Sequence, residues 1–307
     1  MDGRQEAPER EELSFEGPER TSRRAGWLRA HARLVTALTV SFAVLAVLGA
    51  GEWFLHERSR QPLPPPDGPW PQTGHLGVYL CGESTDQWEH CRGRGTVTAV
   101  ERRRIEAALR EVPEVAGFRF ETREQALAAF REGEPPNALE PGRSEALLRL
   151  TRAEDMPESY DVVLRPGDWA GVRRRIEPLA GVSNVYIFRD AFWWGKADVV
   201  IRLCPRSNLA KRCASRGAAT EAEKEAVLDR IHSVPGVEAV YFEDRPHALK
   251  VLRHVWWEGI DLGGDLPALN ESFYLKLDRP PVMRDLVPFF TDLTGVEGLS
   301  RVSNVRS

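Results

Sequence analysis

Four cysteines form two closely spaced pairs, and this spacing limits the chemistry that they can do. Cys81 is followed by Cys91, and Cys204 by Cys213, and each pair begins at the end of a short apolar stretch, VYLC or IRLC. A zinc site would need two-residue spacing within each pair and nearby histidines, and only His90 qualifies. A redox-active CxxC motif is absent from the sequence. We therefore predict two structural disulfides, one within each pair, formed in an oxidising compartment.

Side chains with catalytic chemistry are scattered along the sequence. It contains no glycine-rich phosphate loop, GxSxG elbow or HExxH metal motif. Neighbouring carboxylates, such as Glu154 with Asp155 or Glu243 with Asp244, could do glycosidase work only at defined separations across one cleft, and solvated surface charge is their commoner role. Asp244 also fits as a helix N-cap. The sequence predicts no enzyme, no cofactor and no metal site.

The overall composition is that of ordinary soluble domains. The 307 residues are 42% hydrophobic and 29% charged, with 46 acidic against 42 basic side chains. A chain of this length can form two or three domains, each with its own core. Because basic residues are not in excess, the composition does not favour a nucleic-acid partner.

The N-terminal region contains one long apolar run preceded by arginines. Residues 34–51 carry no charge over 18 positions, and Trp53, Phe54 and Leu55 extend the run past a single glutamate. A helix of this length rises ~27 Å, close to the thickness of a bilayer core. Since arginines keep their side of a membrane helix in the cytoplasm, we predict a cytoplasmic, disordered tail at 1–33, one transmembrane helix at 34–55 and an extracytoplasmic location for the rest. A cleaved signal peptide and a buried core helix are the other interpretations.

The remainder of the chain repeats itself after a proline-rich linker at 56–74, which is expected to act as a stiff spacer. The two copies match at an offset of about 122 residues. VYLC matches IRLC, the helix start Thr98-x-x-Glu101 matches Thr220-x-x-Glu223, and VPEVAGFRFETREQAL matches VPGVEAVYFEDRPHAL. Matching capping boxes and strands at one offset indicate a tandem duplication.

The pattern of each copy predicts, in order, a strand, a helix, a strand, a helical insertion, a strand, a helix and a strand. Two βαβ halves with right-handed crossovers place both helices on one face of a ferredoxin-like sheet. The predicted fold class is therefore α+β, with two tandem ferredoxin-like domains at 75–191 and 192–307. Their insertions are expected to form small lobes at 122–157 and 244–270. Pro288 is expected to break the last helix.

The order of these elements, with FxxxxxAL at the start of the insertion and LxGV before the last strand, resembles the extracellular domain of FtsX. The resemblance covers residues 76–190 and 197–305. FtsX is the membrane component of an ABC-transporter-like cell-division complex, and its extracellular domain binds and activates peptidoglycan hydrolases through apolar residues of the small lobe. This chain departs from the family in having one predicted membrane helix instead of four. The resemblance implies a partner surface at Phe130, Leu147, Leu148, Leu252, Trp256 and Trp257.

Two groups of aromatic residues could act either in packing or in contacts with other domains and partners. Trp256 and Trp257 exceed what a lobe of about 27 residues is expected to bury. They either pack on the main sheet or form an exposed patch that anchors a protein partner. Phe192, Trp193 and Trp194 lie at the junction of the two copies, where an inter-domain contact is expected.

The apolar run and the resemblance to the FtsX extracellular domain together imply a membrane-anchored, extracytoplasmic protein-binding module. Its expected role is to recruit or regulate a peptidoglycan hydrolase or another cell-division or cell-wall assembly. The alternative is an extracytoplasmic ligand-binding sensor, which would need a large pocket with convergent polar groups.

Overall fold

The computed structural model describes residues 36, 42, 46, 60–132, 137–139, 145–207, 210–257 and 269–304. The predicted cytoplasmic tail lies outside this part of the chain, and so does the predicted membrane helix at 34–55 apart from three isolated positions. None of the helices within the described ranges is long and apolar enough to span a bilayer.

The first domain is one four-stranded sheet in the order β2-β3-β1-β4, in which every neighbouring pair is antiparallel. Two helices follow the first and third strands, as the repeat predicts. The elements are β1 (Gly74–Leu80), α1 (Ala99–Arg110), β2 (Val115–Glu121), α2 (Arg123–Glu132), α3 (Glu145–Leu150), β3 (Ser159–Leu164), α4 (Trp169–Ile176) and β4 (Val182–Arg189).

The second domain repeats this topology with the strand order β6-β7-β5-β8, again antiparallel throughout. The prediction of two tandem α+β domains with ferredoxin-like sheets is therefore confirmed. The elements are β5 (Val199–Leu203), α5 (Glu221–His232), β6 (Val237–Glu243), α6 (Arg245–Val255), β7 (Ser272–Leu277), α7 (Met283–Phe290) and β8 (Val296–Arg301).

Each domain has its own core between the sheet and its two helices. In the first domain, Val78 of β1 packs with Ile105 of α1 and Ile176 of α4, and all three are fully or almost fully buried. In the second, Ile201 and Phe290 belong to the corresponding cluster. Because apolar burial is the main driving force of folding, two separate cores explain why the duplication is visible in the apolar pattern.

The two copies also share their helix starts and cross-links. Thr98 accepts a hydrogen bond from the amide of Glu101 at 3.2 Å, and the Glu101 carboxylate accepts one from the amide of Thr98 at 2.8 Å. Thr220 and Glu223 make the same reciprocal pair. Both predicted disulfides, Cys81–Cys91 and Cys204–Cys213, are present. These predictions are confirmed, and each depends on residues close together in the chain.

The expectation for Pro288 was wrong. Helix α7 continues through this proline to Phe290. Leu286 and Phe290, on either side of it, are buried in the second core. Burial of these side chains outweighs the one backbone hydrogen bond that proline cannot donate.

The proline-rich segment at 62–73 is not a free spacer along its length, because it lies against the second domain. Leu63 pairs with Tyr241 at the outer edge of β6, with its amide donating to the carbonyl of Val240 at 2.7 Å. Trp70 packs on Phe192 with ring centroids 4.2 Å apart. An apolar side chain in a proline-rich stretch gains more by covering a sheet than by remaining in water.

The residues at the junction of the two copies cover the outer face of the second sheet. Phe192 and Trp193 are buried in a third apolar cluster, while Trp194 remains 49% exposed. The Trp193 ring stacks on Tyr274 of β7 at 3.9 Å, and its Nε1 donates to Glu243 at 2.8 Å. This cluster holds the proline segment and the junction on the second domain.

Candidate partner-binding surface

The insertion of the first domain reaches the second domain. The amide of Ala138 donates to the carbonyl of Leu299 at 2.7 Å, and the amide of Leu299 donates to the side chain of Asn137 at 3.0 Å. Ala138 and Leu139 also pack against the second core. The segment thereby covers the outer edge of β8, which would otherwise present unpaired backbone groups.

The insertion of the second domain makes the converse contact with the first. Trp256 forms an antiparallel bridge with Phe188 at the outer edge of β4, and the two rings lie 4.9 Å apart in an edge-to-face arrangement. Trp257 packs against the first core, 6.1 Å from the ring of Trp169. A segment of each insertion thus covers an edge strand of the other domain.

These contacts show where the predicted partner residues of the second insertion lie. Trp257 and Leu252 are partly buried, and Trp256 remains 37% exposed. The exposed indole of Trp256 continues a row of aromatic side chains on the outer face of the first sheet. Tyr186 packs on Phe188, and Tyr79 packs on Tyr186. The alternation of Tyr186 and Phe188 in β4 is the sequence signal that could have revealed this row.

The predicted partner residues of the first insertion lie on two short helices. Phe130 of α2 and Leu148 of α3 are partly buried. Leu147 is 47% exposed and Leu150 is 74% exposed. Side chains three positions apart lie on the same side of a helix, so α3 presents a pair of leucines to solvent.

The neighbouring carboxylates considered above have structural roles in the second domain. Glu243 is buried and accepts a hydrogen bond from Trp193 Nε1. Its carboxylate also lies 2.7 Å from His247 Nδ1. Asp244 caps α6 by accepting from the amide of His247 at 2.8 Å, as predicted. Burial raises the pKa of the Tyr274 hydroxyl well above its ordinary value, and the negative charge of Glu243 raises it further. Among the described residues, no group of three or more His, Cys, Asp and Glu side chains is arranged to hold a metal ion.

One histidine lies between the proline segment and the two domains. The ring of His254 is 5.1 Å from that of Trp70, and its buried Nε2 has no hydrogen-bond partner among the residues that the structure describes. Burial lowers the pKa of His254, and the nearby charge of Arg189 lowers it further. A lowered pKa keeps this imidazole neutral at pH 7, which suits its place beside Arg189 and Lys196.

The part of the chain that the structure describes contains cavities in both domains, among them the following two. The larger, of about 550 Å³, lies between the proline segment and the second domain and is bordered by Trp70, His247 and Lys250. The smaller, of about 200 Å³, lies on the first domain beside Tyr79 and Tyr186.

Comparison with known proteins agrees with the duplicated architecture. The profile of a family described as the FtsX extracellular domain matches the chain twice, at residues 76–191 and 201–305. Searches among curated proteins and among solved structures gave no match. The two matched segments correspond to the two sheets with their helices and insertions.

Proposed function

This chain belongs to the FtsX extracellular-domain family, as a tandem repeat of that domain, and we propose that it is a membrane-anchored, extracytoplasmic module that binds a peptidoglycan hydrolase or another protein of the cell-wall machinery and regulates it. Family membership supports a cell-division-related extracellular module. We propose further that the partner is a hydrolase and that the chain is anchored in the membrane.

The exposed leucine pair of α3 is the observation that carries the proposal. Leu147 and Leu150 are large apolar side chains held in water on a six-residue helix. The fully buried centre of a protein interface is more apolar than its rim, so exposed leucines are suited to that position. In the second insertion, Trp257 is partly buried and packs against the first core. We assign the main contact to α3, with Phe130 and Leu148 supporting it from the partly buried side.

Trp256 extends the proposed surface onto the first sheet. Its indole is more than one-third exposed and packs edge-to-face on Phe188. Tryptophan is enriched among the residues that dominate binding energy. Leu252 and Trp257 contribute indirectly in this proposal, by holding the end of α6 against the first domain.

Changing both Leu147 and Leu150 to alanine should weaken partner binding by about thirtyfold, which corresponds to ~2 kcal/mol. The melting temperature should change by no more than a few degrees, because substitutions of exposed side chains usually cost under about 0.5 kcal/mol. Secreted peptidoglycan hydrolases of the source cell would be purified singly and titrated against the full chain. Their activity on isolated cell wall would be measured with and without it.

The matched control is Val282→Ala, since Val282 is 53% exposed but lies in the second domain, outside the insertions. This variant should bind like the wild type. The proposal fails if no hydrolase binds or changes its activity with the wild-type chain. Equal affinity of the double variant and the wild type would instead move the contact away from α3.

The proposed anchor is the apolar run at 34–55, with the arginine-rich side in the cytoplasm. The full chain should sediment with membranes after an alkaline carbonate wash, and added protease should reach the domains only from the outer side. Recovery of the chain in the soluble exported fraction would show cleavage instead of anchoring.

A further inference from the structure

The smaller cavity opens on the first domain where the disulfide loop meets the end of the sheet. Its volume is about 200 Å³. Pockets for drug-sized ligands measure about 300–1,000 Å³, so this cavity suits a single ring with its substituents. It involves none of the exposed leucines of α3, and its function is separate from the proposed protein contact.

Aromatic rings form the apolar part of the cavity. Trp88 and Tyr186 are exposed, and the rings of Tyr79 and Tyr186 lie 5.8 Å apart in an edge-to-face arrangement. Trp88 lies within the loop closed by Cys81 and Cys91. Its amide donates to the carbonyl of Thr85, and its own carbonyl accepts from the amide of Cys91, both at 3.0 Å. The disulfide loop therefore fixes the backbone that presents this indole.

Polar groups beside these rings offer both donors and acceptors. Ser183 is only 5% exposed and lines the cavity, and within the described ranges its hydroxyl has no hydrogen-bond partner. A buried hydroxyl without a partner is costly. The Asn184 side chain donates one N–H to the Tyr186 hydroxyl at 2.9 Å, and its second N–H can donate to a ligand. Asp155 contributes a carboxylate to the same wall.

The second domain has filled the equivalent place with its own residues. By strand register, Tyr79, Asn184 and Tyr186 correspond to Arg202, Gly298 and Ser300. A side chain at Gly298 would collide with Asn137 of the first insertion and with Arg202, at 2.8 and 2.7 Å. The loop between Cys204 and Cys213 contains no aromatic residue. The open, aromatic-lined cavity is therefore a feature of the first copy.

We propose that this cavity binds one neutral pyranose ring of a saccharide. A pyranose has an apolar C–H face, which would lie against Trp88, and a rim of hydroxyls that each donate and accept hydrogen bonds, which would meet Ser183 and Asn184. The Asp155 carboxylate disfavours an acidic sugar. A cation would leave the donors of Ser183 and Asn184 unused. An added peptide strand is disfavoured, because the amide of Val185 already donates to the Asn184 side chain at 2.8 Å.

The test is a titration of the full chain, in a detergent without a sugar headgroup, with two probes, tri-N-acetylchitotriose and maltotriose, followed by tryptophan fluorescence and calorimetry. At least one of them should bind saturably. Trp88→Ala should weaken that binding by about tenfold or more, Trp88→Phe should restore part of it, and Ser183→Ala should weaken it severalfold. Trp194→Ala should bind like the wild type, since Trp194 is exposed on the opposite domain.

Absence of saturable binding by either trisaccharide at millimolar concentrations would overturn the proposal. So would binding that Trp88→Ala leaves unchanged, or tighter binding of tetramethylammonium that depends on Trp88, which would identify a cation site instead. Circular dichroism and recovery of the Cys81–Cys91 peptide confirm that each variant is folded. If Trp88→Ala does not fold, Ser183→Ala and Trp88→Phe decide the outcome. Loss of hydrolase binding in the Leu147 and Leu150 double variant does not bear on this test.

Discussion

Replacing Trp193 with alanine is expected to lower the free energy of unfolding by about 3–5 kcal/mol, the usual cost of removing a buried tryptophan. The indole fills the space between the junction and the second sheet, and it stacks on Tyr274 at 3.9 Å. Its loss also removes the hydrogen bond to the buried Glu243. Urea unfolding at pH 7, followed by far-ultraviolet circular dichroism, measures the change.

The adjacent Trp194 is the matched control, because it has the same side chain and is 49% exposed. Trp194→Ala should cost less than about 1 kcal/mol. Similar losses in both variants would contradict the assignment of Trp193 to a buried cluster.

Removing both disulfides together is expected to lower the free energy of unfolding by about 5 kcal/mol. Each closes a short loop, with sequence separations of 10 and 9 residues. Loop-closure entropy assigns about 2–3 kcal/mol to each such cross-link. The two contributions should add, because the cross-links lie in different domains with different partners.

The variants are Cys81 and Cys91 to alanine, Cys204 and Cys213 to alanine, and all four together. Urea unfolding of each, with and without a thiol reductant, gives the individual costs. Reductant should destabilise the wild type as much as the fourfold substitution does, and it should leave the fourfold variant unchanged. Recovery of a peptide that links Cys91 with Cys204 would contradict the pairing.

Much of the fold could be predicted from sequence because the informative signals are local. A capping box spans four residues and a disulfide pair here spans about ten. An apolar strand is recognised from the residue types at consecutive positions. Because the domain is duplicated, each of these local patterns occurs twice, and the second copy supports the prediction made from the first. Pro288 shows the limit of such rules, because burial of Leu286 and Phe290 overrides the local preference against proline in a helix.

The candidate sites were less predictable, since they depend on which surfaces remain uncovered. Leu147 and Trp256 have similar character in the sequence, yet Trp256 packs on Phe188 of the other domain while Leu147 is presented on α3. Trp88, which had no assigned role from its spacing, lies beside Tyr79 and Tyr186 only because the loop and β4 meet at one end of the sheet.

The sequence by itself determined the two α+β units, their helix starts and their cross-links, because each of these follows from residue types at short spacing. Only the tertiary structure decided the contacts of each insertion with the other domain, the path of the proline segment and the burial of Trp193. Asn137 meets Leu299, and Leu63 meets Tyr241, across more than 150 positions of the chain. Such contacts arise from the competition of all apolar surfaces and unpaired strand edges for cover, and no local pattern records which of them prevails.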